Sequence, residues 1–184
     1  MAMRFWLLTS TFYGNRLPGD ARGFVGRVYE KREGELGTDS RVFHNKPGEV
    51  IDSSMPGLQA AAERMLKQDP IRVTAEQAAA LVEQFQVTAG IKGWSLLACA
   101  VMADHVHWVV GIDESLHGRS ARQVLKAYGS RVLNDRWGKP VCQTWWTEGG
   151  SDRALRDEQA ILDAIEYVLN QEFPLLIWKQ KIRD

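Results

Sequence analysis

The segment 94–111 constrains this chain more than any other. A nearly continuous apolar run, Trp94 to Ala103 (WSLLACAVMA), is followed by a single Asp104 and then by His105-Val106-His107-Trp108-Val109-Val110-Gly111. Two such runs, separated by one polar residue, read as two adjacent central strands. Residues two apart in a strand point to the same face, so His105 and His107 present two imidazoles side by side while Val106 faces the opposite layer. Such a pair is either two polar residues on a solvent-facing sheet surface or half of a metal site. Burying two imidazoles together without a shared ion or hydrogen-bond partners costs on the order of several kcal/mol. Their setting within apolar strands therefore raises the weight of the metal reading.

The remaining elements follow from pattern. Residues 4–13 (RFWLLTSTFY) are rich in aromatic and β-branched types and end at Gly14-Asn15, a strand running into a turn. From about 14 to 55 the chain carries many Gly, Pro, Asn and Asp without a sustained period, which reads as a long loop excursion. Pro56-Gly57 opens a short helix to about Lys67. Thr74 followed by Gln77 is a capping box for a second helix with the stripe Ala78, Leu81, Val82 and Phe85. Ala121, Val124, Leu125, Tyr128 and Val132 recur at helical spacing, giving a helix over roughly 119–136 with Tyr128 on its core side; Arg119, Arg122, Lys126 and Arg131 lie on its other face. Val141 to Trp146 reads as an edge strand in which Trp145 and Trp146 cannot both face one layer, so at least one should be exposed or at an interface. Glu148-Gly149-Gly150 is a turn, and Asp157 starts a last helix that Pro174 ends at the latest. His44 and His117 read as ordinary loop histidines. The order β, long loop, α, α, β, β, α, β, α predicts one α+β domain over 1–184. Its core is a single layer of mainly antiparallel sheet with helices packed on one face.

Composition excludes several classes. With 184 residues, 45% hydrophobic and 25% charged, the chain is ordinary globular material rather than disordered or fibrous. The 23 Lys and Arg balance the 23 Asp and Glu, so any nucleic-acid surface must be local. Cys99 and Cys142 sit in apolar surroundings without a CxxC or His/Cys spacing, which argues against a disulfide framework or a thiolate zinc site and fits a reducing cytoplasm. No stretch approaches the roughly 20 apolar residues of a membrane span, and the apolar run near the start is too short for a signal peptide. The expectation is a soluble, untargeted protein.

The last helix supplies a second chemical group. Ile161, Leu162, Ile165, Val168 and Leu169 form an apolar stripe, and Tyr167 lies roughly 200° from its centre. Tyr167 is thus expected to point away from the helix's core face. Gln171 stacks one turn beyond it and Asp163 one turn before. On this reading Tyr167 meets His105 and His107 within one chain only if the helix lies at the edge of the sheet; otherwise it serves a partner's site.

The segment Val101-Met102-Ala103-Asp104-His105-Val106-His107-Trp108-Val109-Val110, followed by Ile165-Glu166-Tyr167-Val168-Leu169-Asn170-Gln171, resembles the HUH single-tyrosine transposases of small bacterial insertion sequences, including the branch associated with repetitive extragenic palindromes. Tyr13 to Asp20 (YGNRLPGD), Leu125 to Tyr128 (LKAY) and the stretch from Trp146 to Leu155 are similar to that branch too, so the likeness spans most of the chain. Ala103 departs from the polar pair that often precedes the family's histidines. The resemblance implies a ferredoxin-like HUH endonuclease fold and assigns roles residue by residue. His105 and His107 would be metal ligands, Gln171 a third ligand or an aid to the metal, and Tyr167 the nucleophile that cuts one DNA strand. The cut would leave a 5′-phosphotyrosine link and a free 3′-hydroxyl, reversed by attack of another 3′-hydroxyl. The family includes dimers with shared sites, so a homodimer is a further expectation.

The chemistry is consistent with these roles. A free tyrosine, with a pKa near 10, is only about one part in a thousand phenolate at pH 7, so it needs help to attack a phosphodiester. A divalent cation on the nonbridging oxygens supplies that help, and two imidazoles with an amide oxygen suit Mg²⁺ or Mn²⁺ while leaving positions open for phosphate. Single-stranded or hairpin DNA is the expected substrate, because the nucleophile must reach an unsheltered backbone. Arg119, Arg122, Lys126 and Arg131 are candidate DNA contacts. The seven basic residues Arg16, Arg22, Arg27, Lys31, Arg32, Arg41 and Lys46, interleaved with Phe24, Tyr29 and Phe43, are offset by five acidic residues and read as a solvated charged stretch. Two alternatives share the fold. A replication-initiator nickase typically carries lysine four residues after its tyrosine, where this chain has Gln171. A domesticated hairpin-binding protein would cut poorly or not at all.

Overall fold

The computed structural model of the protein describes residues 2–22, 24, 26–29, 41–44 and 55–181. The elements run β1 (Met3–Thr11), β2 (Gly26–Tyr29), β3 (Arg41–His44), α1 (Pro56–Arg64), α2 (Ala75–Lys92), β4 (Ser95–Val101), β5 (His105–Asp113), α3 (Gly118–Trp137), β6 (Ser151–Leu155), α4 (Glu158–Leu169) and β7 (Leu176–Lys179). They divide between two compact units, Met1–Asn15 with Pro70–Asp184, and Arg16–Asp69. The excursion expected at 14–55 therefore extends to 69 and forms a unit of its own. That unit contains α1 and an antiparallel β2–β3 pair. In it the Arg22 guanidinium grips Asp20 at 2.7 Å and holds that carboxyl below its ordinary range. The side chains of Arg27, Tyr29, Lys31, Arg32, Arg41, Phe43, His44 and Lys46 lie outside the described residues.

The larger unit is built on a five-stranded sheet, ordered β6-β1-β5-β4-β7, in which every pairing is antiparallel. The α+β class and the antiparallel sheet are as the sequence pattern predicts, and the two apolar runs are the hairpin β4–β5. Strand alternation divides the side chains into two layers. Trp6 and Leu8 of β1 and Val106, Trp108, Val110 and Ile112 of β5 point to one side, into a core closed by Leu81 and Phe85 of α2 and Ala121, Leu125 and Leu133 of α3. The Thr74–Gln77 capping box forms, and Gly93 ends α2 with φ 66°.

The sheet's other side is also covered, which corrects the expectation that helices pack on one face. Ala164 and Val168 of α4 bury against Ala98, Ala100, Val109 and Leu155. A register shift between Leu96 and Ala98 switches the alternation in β4, so that Leu97, Ala98 and Ala100 face α4 while Leu96, Cys99 and Val101 face α2 and α3. Small residues on both surfaces allow the helix to sit close to the strands. The helix stripe is accordingly rotated from the one read off hydrophobicity. Leu162, placed on the core face by its apolarity, is 53% exposed, whereas Ala164 is 5% exposed. A count of large apolar residues misses this because an alanine seat carries little weight in it.

A second correction concerns 141–146. This segment is not an edge strand: it is irregular and forms one isolated bridge, Trp146 with Phe12, the residue that follows β1. The edges of the sheet are β6 and β7. Without a strand's strict alternation both tryptophans turn inward, contrary to the expectation that one is exposed. Trp146 stacks on Phe12 at 4.5 Å and donates to the Lys126 carbonyl and Ser130 Oγ, and Trp145 donates to Asn134 Oδ1. His117, too, is no ordinary loop histidine; its Nδ1 accepts from the Arg119 amide and caps α3.

The seat of α4 can be tested directly. Ala164→Leu should overfill the contact with Ala98 and Ala100 and cost about 1–3 kcal/mol in chemical denaturation, whereas Leu162→Ala should stay near wild type.

Candidate active site

Because Val106 and Trp108 are locked into the thick core, His105 and His107 must point toward α4. Antiparallel pairing sets Thr9 of β1 directly opposite His107. Thr9 Oγ1 lies 2.7 Å from His107 Nδ1, and Asp104 Oδ1 lies 2.5 Å from His105 Nδ1. The two imidazoles stand edge to face, with centroids 4.9 Å apart. His107 is 5% exposed, and the His105 side chain 16%. With both Nδ1 atoms engaged, Nε2 is the nitrogen through which each ring would ligate a metal, the polar partner fixing tautomer and ring orientation.

Tyr167 joins this pair within one chain. Its ring centroid is 5.2 Å from that of His107, at 73° between planes. The expectation that Tyr167 opposes its helix's core face is overturned by the rotated stripe. Measured from Ala164, Tyr167 lies only about 60° around the helix. It flanks the buried seat, half-exposed, on the side facing β1 and β6. Asp157 caps the helix by accepting from the Ala160 amide at 2.8 Å. At the other end Gln171 Nε2 donates to the Tyr167 carbonyl at 2.8 Å. That bond ties Gln171 to the helix end rather than to either histidine. Among the described residues no group of three His, Cys, Asp or Glu is placed to hold a metal.

The four candidate DNA-contacting cations of α3 are split. Arg119 is exposed, and Arg131 is exposed and stacks over the Tyr128 ring at 4.7 Å. Arg122 is 4% exposed and turned inward; it pairs with Asp152 at 2.6 Å and donates to the Gly149 carbonyl. Lys126 donates to the carbonyls of Thr147 and Gly149, at 2.7 and 3.2 Å. Burial, with the Arg122 charge beside it, pulls the Lys126 ammonium down to about 8. Arg122 and Lys126 therefore brace the loop leading into β6 instead of presenting a free cationic face. Helical spacing shows which residues share a side, not what packs on that side.

Three residues at the site were not found from sequence. Thr9 and Asp104 hold the histidines, and Arg153 of β6 shares a cleft with Tyr167. Asp104 carried a visible signal, a lone carboxylate beside His105 between apolar strands. Thr9 and Arg153 depend on cross-strand register, which local pattern does not supply.

No protein-family model and no curated protein matches the chain. Among solved structures it is similar to a REP-associated tyrosine transposase bound to a REP hairpin, at 10% identity and TM-score 0.46, over 90% of this chain and 64% of that one. It is also similar to a protein assigned as a transposase from Deinococcus radiodurans R1, at 15% identity and TM-score 0.45, over 94% of each chain. The chain thus spans 64% of the length of the first of these.

Three substitutions separate holding from bracing. Thr9→Val keeps the shape of the side chain but removes the His107 partner; it should lower divalent-metal affinity about 10–100-fold, read by titration calorimetry. Arg122→Ala takes from the part-buried Asp152 its close guanidinium partner, leaving only His117 Nδ1 at 3.9 Å, and should destabilise the fold by about 3–5 kcal/mol in denaturant, whereas Arg119→Ala should change stability by less than about 0.5 kcal/mol.

Proposed function

We propose that this protein is a metal-dependent enzyme that nicks single-stranded or hairpin DNA and transfers the strand through a 5′-phosphotyrosine intermediate. The observation that carries the reading is the meeting of Tyr167 with His107 at 5.2 Å in one chain. Two imidazoles on one sheet face, each with its Nδ1 occupied by a hydroxyl or a carboxylate, fit a divalent ion such as Mg²⁺ or Mn²⁺ held through Nε2. The Gln171 amide oxygen is the candidate third donor. When bound, the ion would neutralise the nonbridging oxygens of the scissile phosphate.

The protein's own part is positional. The seat of α4 holds Tyr167 on the histidine face, and its half-exposed ring leaves the hydroxyl accessible to a strand from solvent. Tyr167 Oη forms the new bond to phosphorus and its proton passes to water. The bond from phosphorus to the 3′-oxygen breaks, and that oxygen takes up a proton to leave as a 3′-hydroxyl. Attack by another 3′-hydroxyl reverses the sequence and frees Tyr167, so rejoining requires no nucleotide triphosphate. No helix among the described residues is long and apolar enough to cross a membrane. Cys99 and Cys142 are not joined in a disulfide, which suits a reducing compartment. A homodimer is compatible with this reading, but Tyr167 does not need one to reach His107.

Incubation with Mn²⁺ and labelled hairpin oligonucleotides from the DNA flanking the gene tests the proposal. A protein–DNA adduct should survive denaturing electrophoresis, disappear in Tyr167→Phe and fall at least about 100-fold in His105→Ala, His107→Ala or with EDTA. Adduct persisting in Tyr167→Phe would overturn the assignment of the nucleophile. Retention of a hairpin on a native gel with no adduct would favour the non-cutting binder.

A further inference from the structure

Beside Tyr167, a cleft of about 670 Å³ opens between α4 and the β1–β6 edge. Its volume is within the range of about 300–1,000 Å³ usual for small-ligand sites. Leu7, Leu155, Ala160 and Ala164 give it an apolar floor; Thr9, the partner of His107, lies in its wall with Tyr167. Three charged residues line it, and their partners differ. Asp157 is committed to capping α4, and Asp163 Oδ1 accepts from Gln159 Nε2 at 2.7 Å, which leaves Asp163 Oδ2 for another donor. The Arg153 guanidinium makes no hydrogen bond or ion pair among the described residues. Arg153 stands opposite Leu7 in the β1–β6 register, on the same sheet face as Thr9. β6 is one of the two edge strands, so no further strand of the sheet closes the cleft on that side.

We infer that this cleft seats one nucleotide of the DNA strand next to the phosphate that Tyr167 attacks, with Arg153 on its backbone phosphate and Asp163 on its base. The inference rests on the proposed nuclease reading for the position of the strand. The chemistry fixes which part goes where. A phosphate is repelled by Asp157 and Asp163 and attracted by Arg153, whose planar fork matches its oxygens. A flat base is suited to the floor of Leu7, Leu155 and two alanines. A carboxylate oxygen at the wall accepts from an exocyclic amine and repels a carbonyl, so it selects cytosine or adenine over thymine. Arg153 is a positioning residue on this account, and Asp163 a specificity determinant.

The test uses the full chain in metal-free buffer, where binding is read without cleavage, by fluorescence anisotropy with labelled short single strands of dC, dA and dT over a salt series. Wild type should bind dC and dA more tightly than dT. Asp163→Ala should erase that preference. Arg153→Ala should weaken all three several-fold and reduce the salt slope by about 1, with recovery of the slope in Arg153→Lys. An Arg153→Ala variant with wild-type slope, or an unchanged preference in Asp163→Ala, overturns the inference; so does failure to bind any of the strands. A parallel Mn²⁺ adduct assay separates the two readings. Adduct formation by variants that bind as wild type does would sink the cleft and leave the nuclease. Altered slope and preference without adduct in wild type would do the reverse.

Discussion

The register of β5 is the constraint on which the rest of the molecule depends. Val106, Trp108, Val110 and Ile112 are all fully buried under α2 and α3. A slip of one residue would put His105, His107 and Val109 into that core and drive Trp108 into the alanine contact with α4, stranding two imidazoles and overfilling a seat built for small residues. The histidine pair faces α4 because its neighbours have no other place to go. The same register sets Thr9 across from His107, so the partner that orients the ring follows from the packing on the opposite side of the sheet.

This division explains what the sequence could and could not disclose. The hairpin, the shared face of His105 and His107, the capping box at Thr74 and the start of α4 at Asp157 are properties of neighbours along the chain, and local spacing reads them directly. The side of the sheet that α4 covers is not local. It depends on a register shift at Leu96–Ala98 that turns Ala98 and Ala100 outward, and on alanines in α4 that match them. A hydrophobicity stripe favoured Leu162 over Ala164 because it weighs size, whereas close approach of a helix to a sheet favours smallness. The position of Tyr167 relative to the core was lost through that single misweighting. Its pairing with the histidines, which the family resemblance implied, did not depend on it.

Charge shows a similar contrast. Four basic residues on one helix face suggested a phosphate-binding surface, yet Arg122 and Lys126 are used internally. Asp152 and the carbonyls of Thr147 and Gly149 neutralise or solvate them. Their work is to hold the irregular stretch that carries Trp145 and Trp146 and then delivers β6. In a chain whose 23 basic and 23 acidic residues cancel, the positions of the cations matter more than their number.

The edge strand brings these threads together. Arg122 fixes Asp152 at the beginning of β6, and β6 then places Arg153 across from Leu7, beside the helix that carries Tyr167. A cation buried in one residue's neighbourhood thus positions an open cation in the next. Alternation along the strand separates them, with Asp152 turned toward α3 and Arg153 toward the cleft. A strand built this way can brace the loop from one face and meet a ligand from the other. The β5 strand follows the same pattern, with Trp108 in the core and His107 at the site. In both strands the residues that pack and those that do chemistry are adjacent in sequence and opposed in space, so stability on one face fixes geometry on the other.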